Sequence, residues 1–392
     1  MSIQETVRKG FKRKIILRFR LSRIVKFPAY AKEIVSRYLK YDSLCVFFRY
    51  QHISLDTHIW FDRYYRRPPI KYCNFKKAKA YHWISFPDVI DEKPFVMEVN
   101  DHPLSIVGVL PCFPTEPRDV LVKKDEAIEK VYQNPSCKKI IVESSGQWEL
   151  YERYCPDILS KCEIIRLGTI PKIVAFDKIY TNETEISFLC LASDFLRKGV
   201  DLLLDAWLEF TDRHQHKLII ACPSIPDEYK SKVNNENVEL ILKAPLTINE
   251  KDELYRRADV VVGPLHVDGG GNILEAFEYG LPIITMRCQR SQDQIMNQNG
   301  IVVDVPFYFY DEGYGVEWPT WDSFFKILND SKEKGGFDVT KEGFVKAFQF
   351  FSDHPDKIKE MGRGSYNLAI NEYSLVRRNI RLVEVYQEII GS

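Results

Sequence analysis

One strand–turn–helix–strand unit constrains the fold of this chain more than any other feature of its sequence. The valines at 260–262 are typical of a buried strand, and the glycines at 269–271 predict a turn after it. A helix is predicted to begin near Asn272 and to end at 280–282, where Gly-Leu-Pro stops it, and Ile283 begins the next apolar run. A helix that joins two such strands predicts a parallel sheet with helices packed on its faces.

The turn itself has the composition of an anion-binding site. Glycines let backbone N–H groups crowd around an anion, and the positive end of the following helix lies at the same point. Glu275 is on the first turn of that helix, where its carboxylate would repel a phosphate, so we expect it to serve a neutral hydroxyl such as that of a ribose. The unit therefore predicts a site for a nucleoside diphosphate. Glycine-rich turns are common in α/β proteins, however, and this one needs support from elsewhere in the chain.

A second segment upstream gives that support. Residues 186–191 predict a strand, and Arg197-Lys198-Gly199 precedes a predicted amphipathic helix. The apolar stripe of that helix consists of Leu202, Leu203, Ala206, Trp207 and Phe210. Taken alone, Arg197 and Lys198 would also fit a solvated pair at the start of a helix.

Together, the two segments resemble the donor-binding signature of retaining glycosyltransferases of the GT-B fold, especially glycosyltransferase family 4. The matching residues are Leu274-Glu275-Ala276, Gly280-Leu281-Pro282 and Arg197-Lys198-Gly199. The resemblance implies an α/β protein of two Rossmann-like domains, whose parallel sheets face each other across a cleft. It also implies that Lys198 contacts the phosphates of a nucleotide-sugar donor and takes part in catalysis.

Two positions of the family's pattern differ in this chain. The family's first glutamate, which contacts the sugar hydroxyls, is absent, and Asp268 can replace it only through a one-residue shift. The arginine that the family places before the lysine is replaced by Ala192, and Arg197 is the candidate substitute. His266, just before the glycine turn, is expected either to touch the donor or to cap the turn.

The predicted donor site consists of Arg197, Lys198, His266, Asp268, Gly269, Gly270, Gly271, Asn272 and Glu275. Glu278, one helical turn beyond Glu275, is expected to face solvent. The loop at 243–245 is a candidate for recognition of the base.

Polar residues also follow a predicted strand at 95–99 in the first half of the chain. The family commonly places a histidine after such a strand, and His102 is the nearest candidate, with Asn100 as the other. We predict an acceptor side formed by Glu98, Asn100 and His102, with His102 and Asp101 as catalytic candidates. Asp101 would hold the tautomer of His102 or bind an acceptor hydroxyl, and the alternative for His102 is a structural role.

The predicted reaction uses no metal and no cofactor. Lys198 and the amides of 269–272 would stabilise the leaving diphosphate in a water-excluded cleft. Asp88 and Asp91 have the wrong spacing for a metal-binding Asp-x-Asp motif. In front-side, retaining transfer the donor's phosphate oxygen can accept the acceptor proton, so no separate base is required.

The length of 392 residues favours two domains, because single cores stop growing at about 250–300 residues. We predict a first, acceptor-side domain over 1–175 and a donor domain over 184–374, joined by a polar linker near 172–183. The resemblance implies that a last helix, in 375–392, crosses back onto the first domain.

Charge and cysteine usage limit the kinds of partner and the compartment that we expect for this protein. The net charge of zero argues against a general nucleic-acid-binding protein. Residues 1–26 nevertheless form a basic amphipathic stretch, which fits three roles: docking on an anionic membrane, binding a charged glycan, or packing as a helix with a solvated face. The nine cysteines are scattered without C-x-x-C pairs, and no signal peptide or membrane-spanning run is visible, so we expect a cytoplasmic protein that can be peripheral on a membrane.

The function predicted from the sequence is a hexosyltransferase-like enzyme that moves a sugar from a UDP- or GDP-sugar to a glycan or lipid-linked acceptor. Two alternatives stay open. One is a nucleotide-sugar epimerase of the same fold, which needs more converging carboxylates and histidines than Asp268, Glu275 and His102. The other is a catalytically degenerate protein that binds a nucleotide sugar or a glycan.

Overall fold

The computed structural model describes most of the chain from residue 80 onward. The described residues are 80–84, 92–99, 131–173, 185–234, 237–243, 246–266, 271–288, 291–296, 298–306 and 321–391. Several predicted features lie outside them, namely the basic segment 1–26, the residues Asn100, Asp101, His102, Asp268, Gly269 and Gly270, and most of the linker. The predicted domain boundaries at 175 and 184 therefore stay predictions.

The first sheet is parallel, with its four described strands in sequence order. These are β1 (Tyr81–Ile84), β2 (Phe95–Val99), β3 (Cys137–Val142) and β4 (Cys162–Ile164). Phe95 and Val96 are fully buried, as in a strand that is covered on both faces. Helix α1 (Ser145–Tyr154) follows β3 and is capped by Ser144, whose hydroxyl accepts a hydrogen bond from the N–H of Gln147 at 3.2 Å.

The second sheet is also parallel, and its six described strands have the order β10-β9-β8-β5-β6-β7. They are β5 (Ser187–Leu191), β6 (Lys217–Cys222), β7 (Val238–Leu242), β8 (Val260–Gly263), β9 (Ile283–Met286) and β10 (Gly300–Val303). Its core is aromatic on one face, where Phe188 packs against Phe348 and Trp207 with ring centroids 5.0 and 5.7 Å apart.

Helices alternate with these strands and then follow them. They are α2 (Val200–Glu209), α3 (Lys230–Val233), α4 (Ile248–Arg257), α5 (Gly271–Glu278), α6 (Ser291–Gln294), α7 (Trp321–Glu333), α8 (Asp338–Asp353), α9 (Asp356–Ile370) and α10 (Leu375–Gly391). Helix α4 has a capping box, in which the Thr247 side chain and the Glu250 side chain each accept a hydrogen bond from the other's backbone N–H. None of the described helices combines the length and hydrophobicity of a membrane span.

The last helix, α10, packs on the first sheet although the whole second sheet precedes it in the chain. Its buried residues form one cluster with residues of the first sheet: Leu382, Val385, Tyr386 and Ile389 lie against Ala80, Val96, Ile141 and Ile165. An isolated backbone bridge between Thr169 and Ser374 marks the place where the chain returns. Helix α10 therefore contributes to the hydrophobic core around the first sheet.

Candidate active site

The two predicted donor segments meet at one point of the second sheet, where the strand order reverses. Strand β5 lies inside the sheet and pairs with β6 on one side and with β8 on the other. The chain adds β6 and β7 toward one edge and then returns to add β8, β9 and β10 toward the other. Ligands of such sheets bind beyond the carboxyl ends of the strands at this switch point. The loop 192–199 follows β5, and the helix that begins at Gly271 follows β8, so both flank the switch point.

The loop that carries Lys198 is fixed by its own hydrogen bonds. The side chain of Asp194 accepts from the N–H of Arg197 at 2.8 Å, and the Asp194 carbonyl accepts from the N–H of Lys198 at 3.2 Å. The guanidinium of Arg197 turns back to the hydroxyl of Ser193, at 3.4 Å. Arg197 thus contacts its own loop, and Lys198 is placed directly before Gly199, the N-cap of helix α2.

Gly199 lets this loop pack against the end of β8. Its φ of 69° is in the left-handed region, which glycine adopts without strain. A β-carbon at this position would clash with the carbonyl oxygen of Pro264 and would lie 3.2 Å from Nε2 of His266. The glycine after Lys198 therefore brings the two predicted donor segments into contact.

His266 is buried at this contact. Its ring packs edge-on against Phe337, with the centroids 5.1 Å apart and the ring planes at 79°. Burial, together with the positive charges of Lys332 and Lys198, lowers the pKa of His266 to about 3. The imidazole is therefore neutral at pH 7, and its predicted role as a donor contact or turn cap would rest on hydrogen bonding rather than charge.

The first residues of α5 are tied to the end of β5. The side-chain amide of Asn272 donates a hydrogen bond to the carbonyl of Leu191, the last residue of β5. This bond fixes the start of the helix at the switch point. The backbone N–H groups of Gly271 and Asn272 lie in the first turn of α5, where helix geometry provides no intrahelical acceptor. Such groups are suited to an anion, as the sequence predicts.

Glu275 lies on the second turn of α5, not on the first as predicted, because the helix begins at Gly271, and it is held by two residues of helix α4. The ammonium group of Lys251 lies 2.9 and 3.0 Å from the two carboxylate oxygens, and the hydroxyl of Tyr255 donates to Oε2 at 2.8 Å. The charge of Lys251 neutralises the carboxylate, which removes the repulsion that a nearby diphosphate would otherwise meet. Glu275 can therefore occupy this position and still accept hydrogen bonds from hydroxyls.

A chain of contacts leads from this pair to the junction with the first domain. The ring of Tyr255 stacks on that of Tyr279, with centroids 5.0 Å apart. The hydroxyl of Tyr279 donates a hydrogen bond to Asp252 at 2.7 Å and accepts one from the ammonium group of Lys172 at 3.1 Å. Lys172 is part of the segment that leaves the first sheet, so the predicted ribose-binding carboxylate is connected to the interdomain segment.

The prediction that Glu278 faces solvent is wrong. Glu278 is buried, and its carboxylate accepts a hydrogen bond from the hydroxyl of Thr169 at 2.5 Å. The backbone N–H of Lys172 donates to the Glu278 carbonyl at 2.7 Å. Helix periodicity alone gave the wrong result, because the segment after the first sheet crosses this face of α5.

On the first domain, Glu98 belongs to a buried ionic network. Its carboxylate pairs with the guanidinium of Arg378 on α10 and lies 3.1 Å from Nε2 of His82 on β1. The other ring nitrogen of His82, Nδ1, lies 2.5 Å from the hydroxyl of Tyr386. Burial alone would raise the pKa of Glu98, but the charge of Arg378 and the hydrogen bond of His82 outweigh it and lower that pKa to about 2.

These contacts show Glu98 joining α10 to the first sheet. It is 1% exposed, so in this structure its carboxylate does not face an open cleft. The other acceptor-side candidates, Asn100, Asp101 and His102, lie outside the described residues. Their roles, and that of Glu98 toward an acceptor, stay predictions.

Metal ligands and thiols can be assessed in the part of the chain that the structure describes. There, no group of three His, Cys, Asp or Glu side chains is placed to hold a metal ion. The described cysteines are buried and free, namely Cys137, Cys155, Cys162, Cys190, Cys222 and Cys288. Burial raises the pKa of Cys137 and of Cys162 to about 12, which leaves these two thiols protonated and unreactive.

Three charged residues near the donor segments were not singled out from the sequence. Lys251 holds Glu275, Asp201 lies in the first turn of α2, and Lys332 on α7 pairs with Asp201. Lys251 has a local signal, because it lies four residues before Tyr255 on one face of α4. The other two are 131 residues apart, and no local pattern relates them.

Residues 185–307 match the family model of glycosyl transferases group 1. This range contains both predicted donor segments, from β5 to the end of β10. A search among curated protein sequences found no match.

Solved structures share the fold. The crystal structure of WaaG, a glycosyltransferase involved in lipopolysaccharide biosynthesis, aligns over 86% of this chain and 82% of its own, with a TM-score of 0.54 and 15% identity. The pneumococcal O-GlcNAc transferase GtfA, solved in complex with UDP and GlcNAc, aligns over 76% of this chain and 57% of its own, with a TM-score of 0.51 and 14% identity. The predicted arrangement of two Rossmann-like units with parallel sheets is confirmed at the level of fold.

Proposed function

We propose, from the premise that residues 185–307 form a glycosyl transferases group 1 domain within a chain of GT-B fold, that this protein transfers a sugar from a nucleotide-sugar donor to a glycan or lipid-linked acceptor. We place it in glycosyltransferase family 4, with retention of the anomeric configuration. The observation that carries the proposal is the meeting of two motifs at the switch point: Lys198 after β5, and the α5 N-terminus with Glu275 after β8.

The donor's diphosphate would lie between the Lys198 loop and the start of α5. Lys198 supplies a full positive charge, and the amides of Gly271 and Asn272 supply oriented dipoles. These groups are fixed before the donor binds, since Gly199 is packed on Pro264 and Asn272 is bonded to Leu191. Fixed donors aimed at a leaving diphosphate are worth most in the transition state, when its charge grows.

The nucleoside would extend toward α4. Glu275 would accept hydrogen bonds from the ribose hydroxyls, with its charge neutralised by Lys251. UDP is the first nucleotide to test, because GtfA, which shares the fold, was solved with UDP and GlcNAc, and GDP is the second. The acceptor would bind the facing domain near the predicted residues after β2.

We also propose that the reaction needs no metal and no cofactor, and that it takes place in the cytoplasm. Lys198 and the helix amides would do the work that a divalent ion does in other transferases, which is to balance the charge of the leaving diphosphate. In a retaining, front-side transfer the phosphate oxygen of the donor takes the proton of the acceptor hydroxyl. This proposal assigns charge stabilisation to residues of the donor domain alone.

The test is nucleotide binding by the purified full-length chain. Calorimetry with UDP, GDP, ADP and CDP, each with and without EDTA, is expected to show binding of one of the first two that EDTA leaves unchanged. Incubation with UDP-sugars and GDP-sugars should then release the corresponding nucleotide, faster when the acceptor is present. Binding of none of the four would overturn the proposal, and binding that EDTA abolishes would overturn the metal-free part of it.

Lys198→Ala identifies the site. We expect this variant to lose turnover by about a hundredfold or more, since a fixed electrostatic donor at the leaving group contributes on that order. Lys230→Ala is the control, because Lys230 is a well-exposed lysine that pairs only with the exposed Asp227 among its described contacts. A protein that binds nucleotide but shows no turnover with any sugar would instead be the degenerate, binding-only alternative.

A further inference from the structure

Lys332 contacts the first turn of α2, directly after the donor loop, from a helix outside the matched range. It is on α7 (Trp321–Glu333), beyond residue 307, where the match to the glycosyl transferases group 1 family ends. Its ammonium group pairs with Asp201, which is 2% exposed and is the second residue of α2. Since α2 begins directly after Lys198 and Gly199, the residue that Lys332 contacts is three positions along the chain from the predicted phosphate contact.

The segment after α7 holds Lys332 in this place. The chain reverses at Gly335, whose φ is 71°, and the N–H of Gly335 donates to the carbonyl of Lys332 at 2.9 Å. Two residues later, Phe337 packs against the ring of His266. The same short segment therefore contacts α2 through Lys332 and the end of β8 through Phe337.

His266 is influenced by both lysines. Its ring lies beside Gly199, and the charges of Lys332 and of Lys198 both act on it, after burial, to lower its pKa. The charges of two lysines, one on each side of His266 in sequence, therefore both act on one buried, neutral imidazole at the switch point. The loop after β5 offers Ala192 where the family has an arginine, and Arg197 is turned back to Ser193.

We propose that Lys332 is a second donor-binding cation, which contacts the diphosphate together with Lys198 and replaces the charge that Ala192 does not supply. In this structure Asp201 holds the ammonium group. The ammonium group of Lys332 has three N–H donors. When the nucleotide sugar binds, this group donates hydrogen bonds to Asp201 and to a phosphate oxygen at the same time. The inference rests on the proposed function, because it assumes that the anion at the switch point is a nucleoside diphosphate.

The first experiment compares UDP with uridine by calorimetry on Lys332→Gln. Loss of one charge-assisted hydrogen bond to a phosphate is expected to weaken UDP binding by tenfold to a hundredfold, on the order given by such bonds. Uridine has no phosphate, so its dissociation constant for the variant should be within about twofold of that for the wild type. Lys341→Gln is the matched control: Lys341 has the same 25% side-chain exposure and also pairs with a carboxylate of α2, Glu209, but at the opposite end of that helix.

A second variant separates donor binding from the neutralisation of Asp201. Removing Lys332 alone leaves a buried carboxylate unpaired beside the site, which by itself destabilises the loop and repels a diphosphate. Asp201→Asn/Lys332→Gln removes both charges. If Lys332 only neutralises Asp201, this double variant will bind UDP like the wild type. If Lys332 contacts the diphosphate, UDP binding stays weak by about tenfold, and Asp201→Asn alone binds UDP at least as tightly as the wild type.

The outcomes distinguish the two proposals. If the wild type binds UDP or GDP and Lys332→Gln binds it as Lys341→Gln does, the role of Lys332 is overturned and the donor site stands. Recovery of full affinity in the double variant would also overturn the role of Lys332 and leave the donor site in place. If GDP is the nucleotide that binds, GDP and guanosine take the places of UDP and uridine. If the wild type binds no nucleoside diphosphate, both proposals fail together.

Discussion

The ammonium group of Lys251 lies 2.9 Å from one carboxylate oxygen of Glu275 and 3.0 Å from the other. The pair is largely shielded, with 26% of the lysine side chain and 15% of the glutamate side chain exposed. Glu275 is the residue that the sequence singles out for a ribose hydroxyl, and it lies on the second turn of the helix whose N-terminus would face a diphosphate. The positive charge of Lys251 offsets the repulsion between this carboxylate and a diphosphate.

Lys251→Met is therefore expected to weaken UDP binding by about tenfold, because the uncompensated carboxylate of Glu275 then repels the diphosphate. Combining it with Glu275→Gln should recover part of the loss, since the repelling charge is gone. Lys217→Met is the control, because Lys217 also pairs with a partly buried carboxylate, that of Glu239 at 2.6 Å, but lies at the first residue of β6, at the opposite end of the sheet. Calorimetric titration measures all three, and equal losses in Lys251→Met and Lys217→Met would contradict the electrostatic explanation.

Gly199→Ala should destabilise the donor domain by about 2–4 kcal/mol. The left-handed backbone costs an alanine about 1–2 kcal/mol, and its β-carbon would in addition clash with the carbonyl oxygen of Pro264. Gly335→Ala has the same sign of φ, but its β-carbon would meet only the flexible side chain of Asp338, so only the backbone cost applies. Denaturant unfolding gives both values. A Gly199→Ala protein that is no less stable than Gly335→Ala would mean that the loop and the end of β8 are not in contact.

Arg378→Met is expected to cost about 3–5 kcal/mol of stability, because it leaves the carboxylate of Glu98 buried without its cation. Arg377→Met, at the preceding position on the same helix, changes an exposed side chain and should cost less than about 0.5 kcal/mol. Urea unfolding followed by tryptophan fluorescence measures the difference. Near-equal stability of the two variants would refute the view that this network fastens α10 to the first sheet.

Acidification between pH 6.5 and pH 5 should destabilise the protein through its buried histidines. Burial lowers the pKa of His82, His216 and His266 below 6.5, and that of His266 to about 3. Below pH 6.5 the unfolded chain therefore binds protons that the folded chain does not, and stability falls as the pH falls. Each such group contributes up to about 1.4 kcal/mol per pH unit until the pH reaches its folded pKa.

His266→Gln tests that prediction. It removes one titrating group, so its unfolding free energy should depend less steeply on pH over this window than that of the wild type. The carboxylate of Glu98 contributes later, since its ordinary pKa of 4.5 is lowered to about 2 and its share of stability is lost only as the pH falls through that range. Identical slopes for the variant and the wild type above pH 5 would be the contrary result.

Much of the fold could be predicted because its signals are local. The predicted strand at 95–99 is observed as β2 with the bounds Phe95–Val99, and the valines at 260–262 are observed as the first residues of β8, Val260–Gly263. Both signals consist of consecutive or nearly consecutive apolar residues, so they can be recognised without knowledge of what packs against them. Strand β10 (Gly300–Val303) and helices α7 to α9 were not predicted, although the buried residues Phe344, Ala347, Phe348 and Phe351 of α8 have the spacing of one helix face.

The site was predicted only in part, for a different reason. The positions of Lys198 and Glu275 follow from motifs, but their surroundings depend on residues that are far away in sequence. Lys251 lies 24 residues before Glu275. The hydroxyl that donates a hydrogen bond to buried Glu278 belongs to Thr169, which is 109 residues away. Periodicity describes one helix at a time and contains no information about what crosses its faces, which is why Glu278 was placed in solvent.

The return of α10 to the first sheet also sets an order of events during synthesis. Arg378, which pairs with Glu98, follows it by 280 residues. At about 5–20 residues per second, a ribosome needs roughly 15–60 seconds to make that stretch. Through that time the nascent first domain exposes the apolar surface that Leu382, Val385 and Tyr386 will cover. The first sheet is therefore covered only after the second sheet has been synthesised, and a nascent chain arrested before α10 would be a natural client for chaperones.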